Sequence, residues 1–154
     1  GLAGGAAPQV AGPMLQRCLA DADPEVRRMA ASAIAWCRYE PALPELKACL
    51  HDPVGPVRAA ALRALARVGN GVQETTVMRL LQDPDVGVRA EVVRFLRVQG
   101  GEPALAVLAR LEGDETPVGG CTLGELAADA RLRIARRLGI WRELRFRWSE
   151  RRGA

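Results

Sequence analysis

The sequence predicts an all-α protein, an α-solenoid of stacked antiparallel helix pairs with a 31-residue period. Three observations predict this fold class. The 154 residues include 26 alanines but only six aromatic residues, so small and branched side chains must fill the core. Apolar residues recur at the spacing of one helical face. Several residue types also return at a constant interval, which is typical of repeat architectures.

The interval is visible in six columns of equivalent residues that align without a gap. Columns of aspartate, valine and arginine follow one another at Asp21, Asp52, Asp83 and Asp114, at Val26, Val57 and Val88, and at Arg27, Arg58 and Arg89. Apolar columns flank them at Leu15, Leu46, Val77 and Leu108, at Leu19, Leu50 and Leu81, and at Ile34, Leu65 and Leu96. Because one helix pair cannot bury its own apolar face, the pairs must stack.

Each of the first three units is predicted to contain two helices and a tight turn. In the first unit, Leu15 and Leu19 lie one helical turn apart. Asp23 and Pro24 then have the residue types of an N-cap and of a first helical position. The second and third units repeat this pattern, with turns at residues 51–55 and 83–84 and with glycines after their second helices.

The fourth unit departs from the pattern. Its first helix is regular over residues 103–111, but Gly119 and Gly120 replace the Val-Arg pair. Thr122 and Glu125 are predicted to form a capping box that begins a delayed second helix. We therefore assign residues 1–118 to the repeats. Residues 119–154 are assigned to a C-terminal capping helix and an Arg/Trp-rich tail.

The two ends leave alternatives open. Residues 1–7 fall in register with the end of a second helix, which predicts that the chain begins inside a longer solenoid; a short disordered leader is the alternative. Near the other end, Leu144, Phe146 and Trp148 alternate with polar residues as in a strand. Trp141, Leu144 and Trp148 also fit one helical face, and in an all-α context we favour the helix.

The repeated residues resemble the HEAT-like repeats of the phycobilin-lyase type. That pattern is a leucine-bearing helix, an Asp-Pro turn, a Val-Arg pair and an alanine-rich second helix, and it covers about residues 8–111 of this sequence. The resemblance implies an α-solenoid in which the aspartates and arginines pair between neighbouring units. It also implies that the second helices line a concave binding surface.

Several kinds of catalytic site are disfavoured. The four cysteines, Cys18, Cys37, Cys49 and Cys121, show no CxxC spacing, and the single histidine, His51, cannot complete a His-rich metal site. Some HEAT-like proteins are metal-dependent hydroxylases that use His-Glu pairs, but this sequence contains no such pair. A bilin-attachment signature is also lacking. We predict a protein that is not an enzyme and needs no cofactor.

The main candidate binding site is the surface of the second helices. Positions not assigned to the core include Arg63 and Arg94 in one column and Trp36 and Arg67 in another, with Arg97 alongside. Arginine and tryptophan are enriched at binding hot spots, and arginine pairs bidentately with carboxylates and phosphates. We predict that these five residues bind a partner. The alternative is that they only solvate and pack the helices.

The net charge of +4 is unevenly distributed along the chain. Residues 1–130 carry a net charge of −3, whereas residues 131–154 carry nine arginines and a net charge of +7. From this basic segment we predict a secondary binding site at Arg137, Trp141, Arg145 and Trp148. It would contact phosphates and bases, or dock on an acidic protein or membrane surface. A solvated cap packed on the last repeat is the alternative.

The sequence therefore predicts a non-catalytic scaffold or adaptor that binds a protein partner with an acidic surface. Nucleic-acid binding is the alternative by analogy of fold, since one family of DNA glycosylases is built from HEAT-like repeats with a basic, aromatic-lined face. No segment approaches the about 20 apolar residues of a membrane span, and no secretory signal pattern is present. We predict a cytoplasmic location.

Overall fold

A computed structural model describes residues 6–69 and 72–140. Those residues form eight α-helices: α1 (Ala6–Cys18), α2 (Pro24–Cys37), α3 (Leu43–Ala48), α4 (Gly55–Val68), α5 (Glu74–Arg79), α6 (Val86–Gln99), α7 (Glu102–Leu111) and α8 (Leu123–Arg137). Short 3-10 turns span Glu40–Ala42, Cys49–His51 and Leu80–Gln82. A two-stranded hairpin of β1 (Pro117–Val118) and β2 (Cys121–Thr122) precedes α8.

The helices stack in two layers. The second helices α2, α4, α6 and α8 pack side by side in one row, and each is covered by the first helix that precedes it in the chain, α1, α3, α5 or α7. This arrangement confirms the predicted all-α solenoid of stacked helix pairs. The exact 31-residue period stays a prediction.

The core lies between the two layers and within the row of second helices. Helix α4 buries eight residues, of which four are alanines, whereas α3 buries Leu46 and α5 buries Val77. Alanine has a small side chain, so neighbouring second helices can pack closely without large voids. The alanine-rich composition therefore builds the row from which the candidate binding residues project.

Three of the four second helices, α2, α6 and α8, begin at side-chain caps, whereas α4 does not. Asp23 accepts a hydrogen bond from the backbone amide of Glu25 at the start of α2, which confirms the predicted N-cap. Asp85 accepts hydrogen bonds from the amides of Gly87 and Val88 at the start of α6. Such caps satisfy amides that have no partner within the first turn of a helix.

The first helices of the second and third units are shorter than their apolar spacing suggests. Helix α3 ends at Ala48, and the adjoining 3-10 turn carries Leu50, which is buried. Helix α5 is continued in the same way by a 3-10 turn that carries the buried Leu81. A 3-10 turn is tighter than an α-turn, so the chain reaches the aspartate of the following turn within a few residues.

The fourth helix pair contains the hairpin β1–β2, which the sequence analysis did not predict. Gly119 has a φ of 67° in its turn, a conformation that glycine adopts at low cost. The predicted capping box is present: the amide of Glu125 donates to Thr122 Oγ1 over 3.1 Å, and the amide of Thr122 donates to Glu125 Oε2 over 2.8 Å. Helix α8 then packs on α6 and α7 as the fourth helix of the row.

Some predictions lie outside the described residues. Of residues 1–7, which were assigned to the end of an earlier repeat, residues 1–5 lie outside, and Ala6 and Ala7 belong to α1. The helix or strand expected after Gly139 also falls largely outside. The division at residues 118 and 119 stays a prediction. Within the described residues, no helix is both long enough and apolar enough to cross a membrane.

Candidate functional site

Arginines and aspartates of neighbouring helix pairs form a ladder along the turns. Arg27 donates from Nε to Asp52 Oδ2 over 2.7 Å and from Nη2 to Asp52 Oδ1 over 3.0 Å. Arg58 makes the same bidentate contact with Asp83, over 2.8 and 2.7 Å. These two steps confirm the pairing that the family resemblance implied.

The same residues also close their own turns. Asp52 Oδ1 accepts the backbone amide of Val54 over 2.9 Å, and the Asp52 carbonyl accepts Arg58 Nη1 over 2.7 Å. Asp83 makes equivalent contacts with the amide of Asp85 and with Arg89. Each aspartate therefore fixes one turn and connects it to the preceding helix pair. The aspartate column thus recurs for a structural reason.

The third step of the ladder is different. Arg89 Nη1 donates to the carbonyls of Asp83 and Pro84, but within the described residues Arg89 makes no hydrogen bond to a carboxylate. The carboxylate of Asp114 instead accepts the amide of Thr116 over 2.9 Å. The bidentate pattern stops where the hairpin interrupts the fourth helix pair.

The ladder shifts the pKa of its carboxyl groups. The hydrogen bond from Arg27 is the main cause that lowers the pKa of Asp52, and the amide of Val54 adds to it. Burial acts to raise the pKa of Asp83, but the hydrogen bonds from Arg58 and from the amide of Asp85 outweigh it, so this pKa is also lowered. Both aspartates are therefore charged and paired at neutral pH.

The predicted binding residues of the second helices lie at the surface of α2, α4 and α6. Trp36 on α2 is 79% exposed. The guanidinium carbon of Arg67 on α4 lies 5.3 Å from the centroid of the Trp36 ring, within the range of a cation–π interaction. The structure therefore joins Trp36 and Arg67 across two neighbouring helices.

A nearly buried carboxylate joins the next two predicted residues. Glu91 on α6 is 8% exposed, and its Oε1 lies 3.1 Å from Arg63 Nη2 on α4 and 2.8 Å from Arg94 Nη1 on α6. The two arginine side chains keep 49% and 42% of their surface exposed. One carboxylate thus holds two guanidinium groups side by side at the surface.

Arg97 belongs to a second arrangement of this kind. Its Nη1 lies 3.4 Å from Asp129 Oδ2 on α8, and Arg133 on α8 contacts the same carboxylate over 3.0 Å. Sequence reasoning missed the roles of Glu91 and Asp129. Together, the five arginines and two carboxylates of these contacts carry a net charge of +3.

We call these residues the second-helix surface. It consists of exposed or half-exposed residues and the two carboxylates that hold the arginines: Trp36, Arg63, Arg67, Arg94, Arg97, Val98 and Arg133, with Glu91 and Asp129.

The secondary binding residues can be located in part. Arg137 Nη1 donates to the carbonyls of Arg97 over 3.2 Å and of Val98 over 2.8 Å, and its Nη2 donates to the carbonyl of Gly100. Arg137 thereby satisfies carbonyls at the end of α6, which have no partner within the helix. Trp141, Arg145 and Trp148 lie outside the described residues.

A cleft of about 220 Å³ lies between the end of α1 and α3 and contains Glu45, Cys49 and Asp52 in its wall. Burial raises the pKa of the Cys49 thiol, so the thiol stays protonated at neutral pH. Asp52 is already paired with Arg27. The residues that the structure describes contain no group of three His, Cys, Asp or Glu side chains suited to hold a metal ion.

A family model described as HEAT repeats matches residues 2–66 and 52–118 of the chain. These matches cover more than half of the sequence, and the chain belongs to the HEAT repeat family. HEAT repeats are typically non-catalytic and commonly serve as scaffolds for protein interactions. The phycobilin-lyase subtype stays a prediction. Searches of curated proteins and of solved structures gave no match.

Proposed function

We propose that the protein is a non-catalytic, cytoplasmic scaffold or adaptor that binds an acidic protein partner through the second-helix surface. The observation that carries this proposal is the position of Glu91 between Arg63 and Arg94. Glu91 is nearly buried and takes one contact from each arginine. A guanidinium group has five N–H donors, so both arginines keep donors for the carboxylates of a partner.

Preorganisation favours binding at this surface. An arginine side chain has about 2 kcal/mol of rotamer entropy to lose when it is fixed. Arg63 and Arg94 are held in part by Glu91, and Arg67 is held in part by the Trp36 ring, so less of this entropy remains to be lost on docking. The net positive charge of the surface favours acidic partners over basic ones and speeds their encounter.

Reversal of the Arg67 charge tests the proposal. Among the described residues Arg67 has no ion pair, so Arg67→Glu changes the surface charge without leaving a buried carboxylate unpaired. The probe is a peptide of 20 glutamates, titrated into the full chain at low salt and followed by NMR shifts of backbone amides. We expect shifts at Arg63, Arg67 and Arg94 in the wild type, and affinity that is at least about fivefold weaker in Arg67→Glu.

The matched control is Arg79→Glu. Arg79 is an exposed arginine on α5, in the layer of first helices, and its reversal changes the net charge by the same amount. This variant should keep the wild-type affinity. Equal losses in the two variants would show that net charge alone attracts the peptide. Tighter binding of a 20-base-pair DNA duplex under the same conditions would instead favour the nucleic-acid alternative.

A further inference from the structure

The second-helix surface contains a row of three exposed residues at equivalent positions of consecutive second helices. Trp36, Arg67 and Val98 lie on α2, α4 and α6 respectively. Trp36 is 79% exposed and Val98 is 59% exposed. The Trp36–Arg67 contact joins the first two members of the row. The row therefore presents an apolar side chain, a cation and a second apolar side chain.

A second row of charge lies beside the first. Arg63 and Arg94 each precede a member of the first row by four residues, which is about one helical turn. Both guanidinium groups are held by Glu91 and are half-exposed. The two rows thus offer two apolar contacts at the ends of the first row and three arginines between or beside them.

The distance between the apolar contacts limits what can cover both. Packed helices lie about 8–10 Å apart, so Trp36 and Val98, which are two helices apart, are separated by about 16–20 Å. An extended chain rises about 3.3 Å per residue, and six residues span about 20 Å. Side chains six residues apart in an extended chain also point to the same side.

We propose that the second-helix surface binds an extended acidic segment that carries two apolar side chains six residues apart. This inference rests on the proposed function and specifies the partner. One apolar side chain packs on Trp36 and the other on Val98, which removes both from water. Successive side chains of an extended chain point to opposite sides. Acidic side chains on the side of the two apolar ones therefore pair with Arg67, and those on the other side pair with Arg63 and Arg94.

The test uses three blocked seven-residue peptides. The first is Leu-Asp-Glu-Asp-Glu-Asp-Leu, the second has alanine at both ends, and the third keeps the leucines but has Asn and Gln in place of Asp and Glu. Each is titrated into the full chain and followed by NMR. We expect the first peptide to bind about tenfold more tightly than either of the others, since burial of apolar surface and charge pairing both contribute.

Variants of the chain locate the apolar contacts. In the double variant Trp36→Ala, Val98→Ala, the leucine-ended acidic peptide should bind no more tightly than the alanine-ended one. Both sites are exposed, so the substitutions do not disturb the core. Leu132→Ala is the matched control, because Leu132 is an exposed apolar residue on α8 outside the two rows. It should leave all three affinities unchanged. A five-residue peptide with leucine ends should also lose the advantage of leucine over alanine ends, because its ends span about 13 Å.

The outcomes separate this inference from the proposed function. Equal binding of the leucine-ended and alanine-ended acidic peptides would overturn the two-contact inference and leave an acidic partner supported. An advantage of leucine that survives in the Trp36→Ala, Val98→Ala variant would also overturn it. If neither acidic peptide binds while the peptide of 20 glutamates also fails, both proposals are wrong.

Discussion

Asp52 accepts hydrogen bonds from three different residues. Its carboxylate accepts two hydrogen bonds from Arg27 and one from the amide of Val54, and its carbonyl accepts one from Arg58. Asp83 repeats this pattern one helix pair later with Arg58, Asp85 and Arg89. A nearly buried charged group without a partner destabilises the folded state. These aspartates therefore contribute to stability mainly because each is paired with an arginine.

Arg58→Ala is expected to destabilise the protein more than Arg89→Ala. The first substitution leaves the nearly buried Asp83 without its bidentate partner, which costs about 2–3 kcal/mol. The second removes hydrogen bonds to two carbonyls and costs about 1 kcal/mol. Urea unfolding monitored by circular dichroism measures both. Equal losses would mean that the carboxylate pairing adds nothing to the carbonyl contacts.

Stability should also fall in acid because of the ladder. The pKa values of Asp52 and Asp83 are lowered in the folded protein, so their contribution is present above the unfolded-state pKa of about 3.9 and is lost as the pH falls through their folded values. The denaturation midpoint should fall less between pH 7 and pH 2 in the double variant Asp52→Asn, Asp83→Asn than in the wild type. Glu115→Gln, at an exposed site, should follow the wild-type curve.

Residue roles were predictable where they recur. The Arg27–Asp52 and Arg58–Asp83 contacts could be anticipated because both residue types return at the same interval. The role of Glu91 could not, since the equivalent positions hold Met29 and Ala60, and a single glutamate on a helix is usually solvated. Its burial arises from contact between helices, which the order of residues along one helix does not encode.

At the scale of elements, the starts of the helices are coupled to each other. A Cβ atom added at Gly55, the first residue of α4, would overlap the carboxylate of Asp85. Asp85 is the residue that caps α6. One carboxylate therefore lies against the first turn of α4 while it accepts amides from the first turn of α6, so that the two second helices begin in a fixed relation.

Gly55→Ala is expected to destabilise the protein by about 1–3 kcal/mol, because the new methyl group displaces Asp85 from its capping position. Gly113→Ala is the control: in the described part of the chain, no atom beyond its two chain neighbours lies within 4 Å of an added Cβ there, and its φ is not in the left-handed region. Thermal and urea unfolding measure both variants. Asp85→Ala should itself cost about 1 kcal/mol, and Gly55→Ala in that background should cost much less than in the wild type.

Structural elements could be predicted where a few residues close together in the sequence determine them. The capping box of Thr122 and Glu125 needs two residues three apart, and the structure confirms it. The hairpin at residues 117–122 has strands of two residues each, which are too short to show an alternating pattern. The end of α3 likewise could not be placed, because Leu46 and Leu50 have the spacing of a continuous α-helix.

At the scale of the whole molecule, the helices are not equally protected. Among the described residues, helices α4 and α6 each have a second helix on both sides and a first helix over them, whereas α1 packs mainly on α2 and on the turn Glu40–Ala42. In a solenoid each repeat contacts its neighbours alone, so stability depends on how many neighbours it has. This difference predicts where the native state opens first.

Amide hydrogen exchange should therefore be slowest in α4 and α6 and fastest in α1 and α5, because α5 is short and buries Val77 alone along its length. Exchange measured by mass spectrometry of peptic fragments gives this order. Uniform protection across the chain would show that all helix pairs unfold as one cooperative unit, against the expectation for stacked repeats.

The ladder also has a consequence for changes in chain length. Each bidentate contact joins an arginine to an aspartate 25 residues later. Duplication of residues 53–83 would supply a new arginine and a new aspartate in the same relation. The molecule can thus be lengthened by whole helix pairs, and engineered versions with a wider second-helix surface should be made in that way.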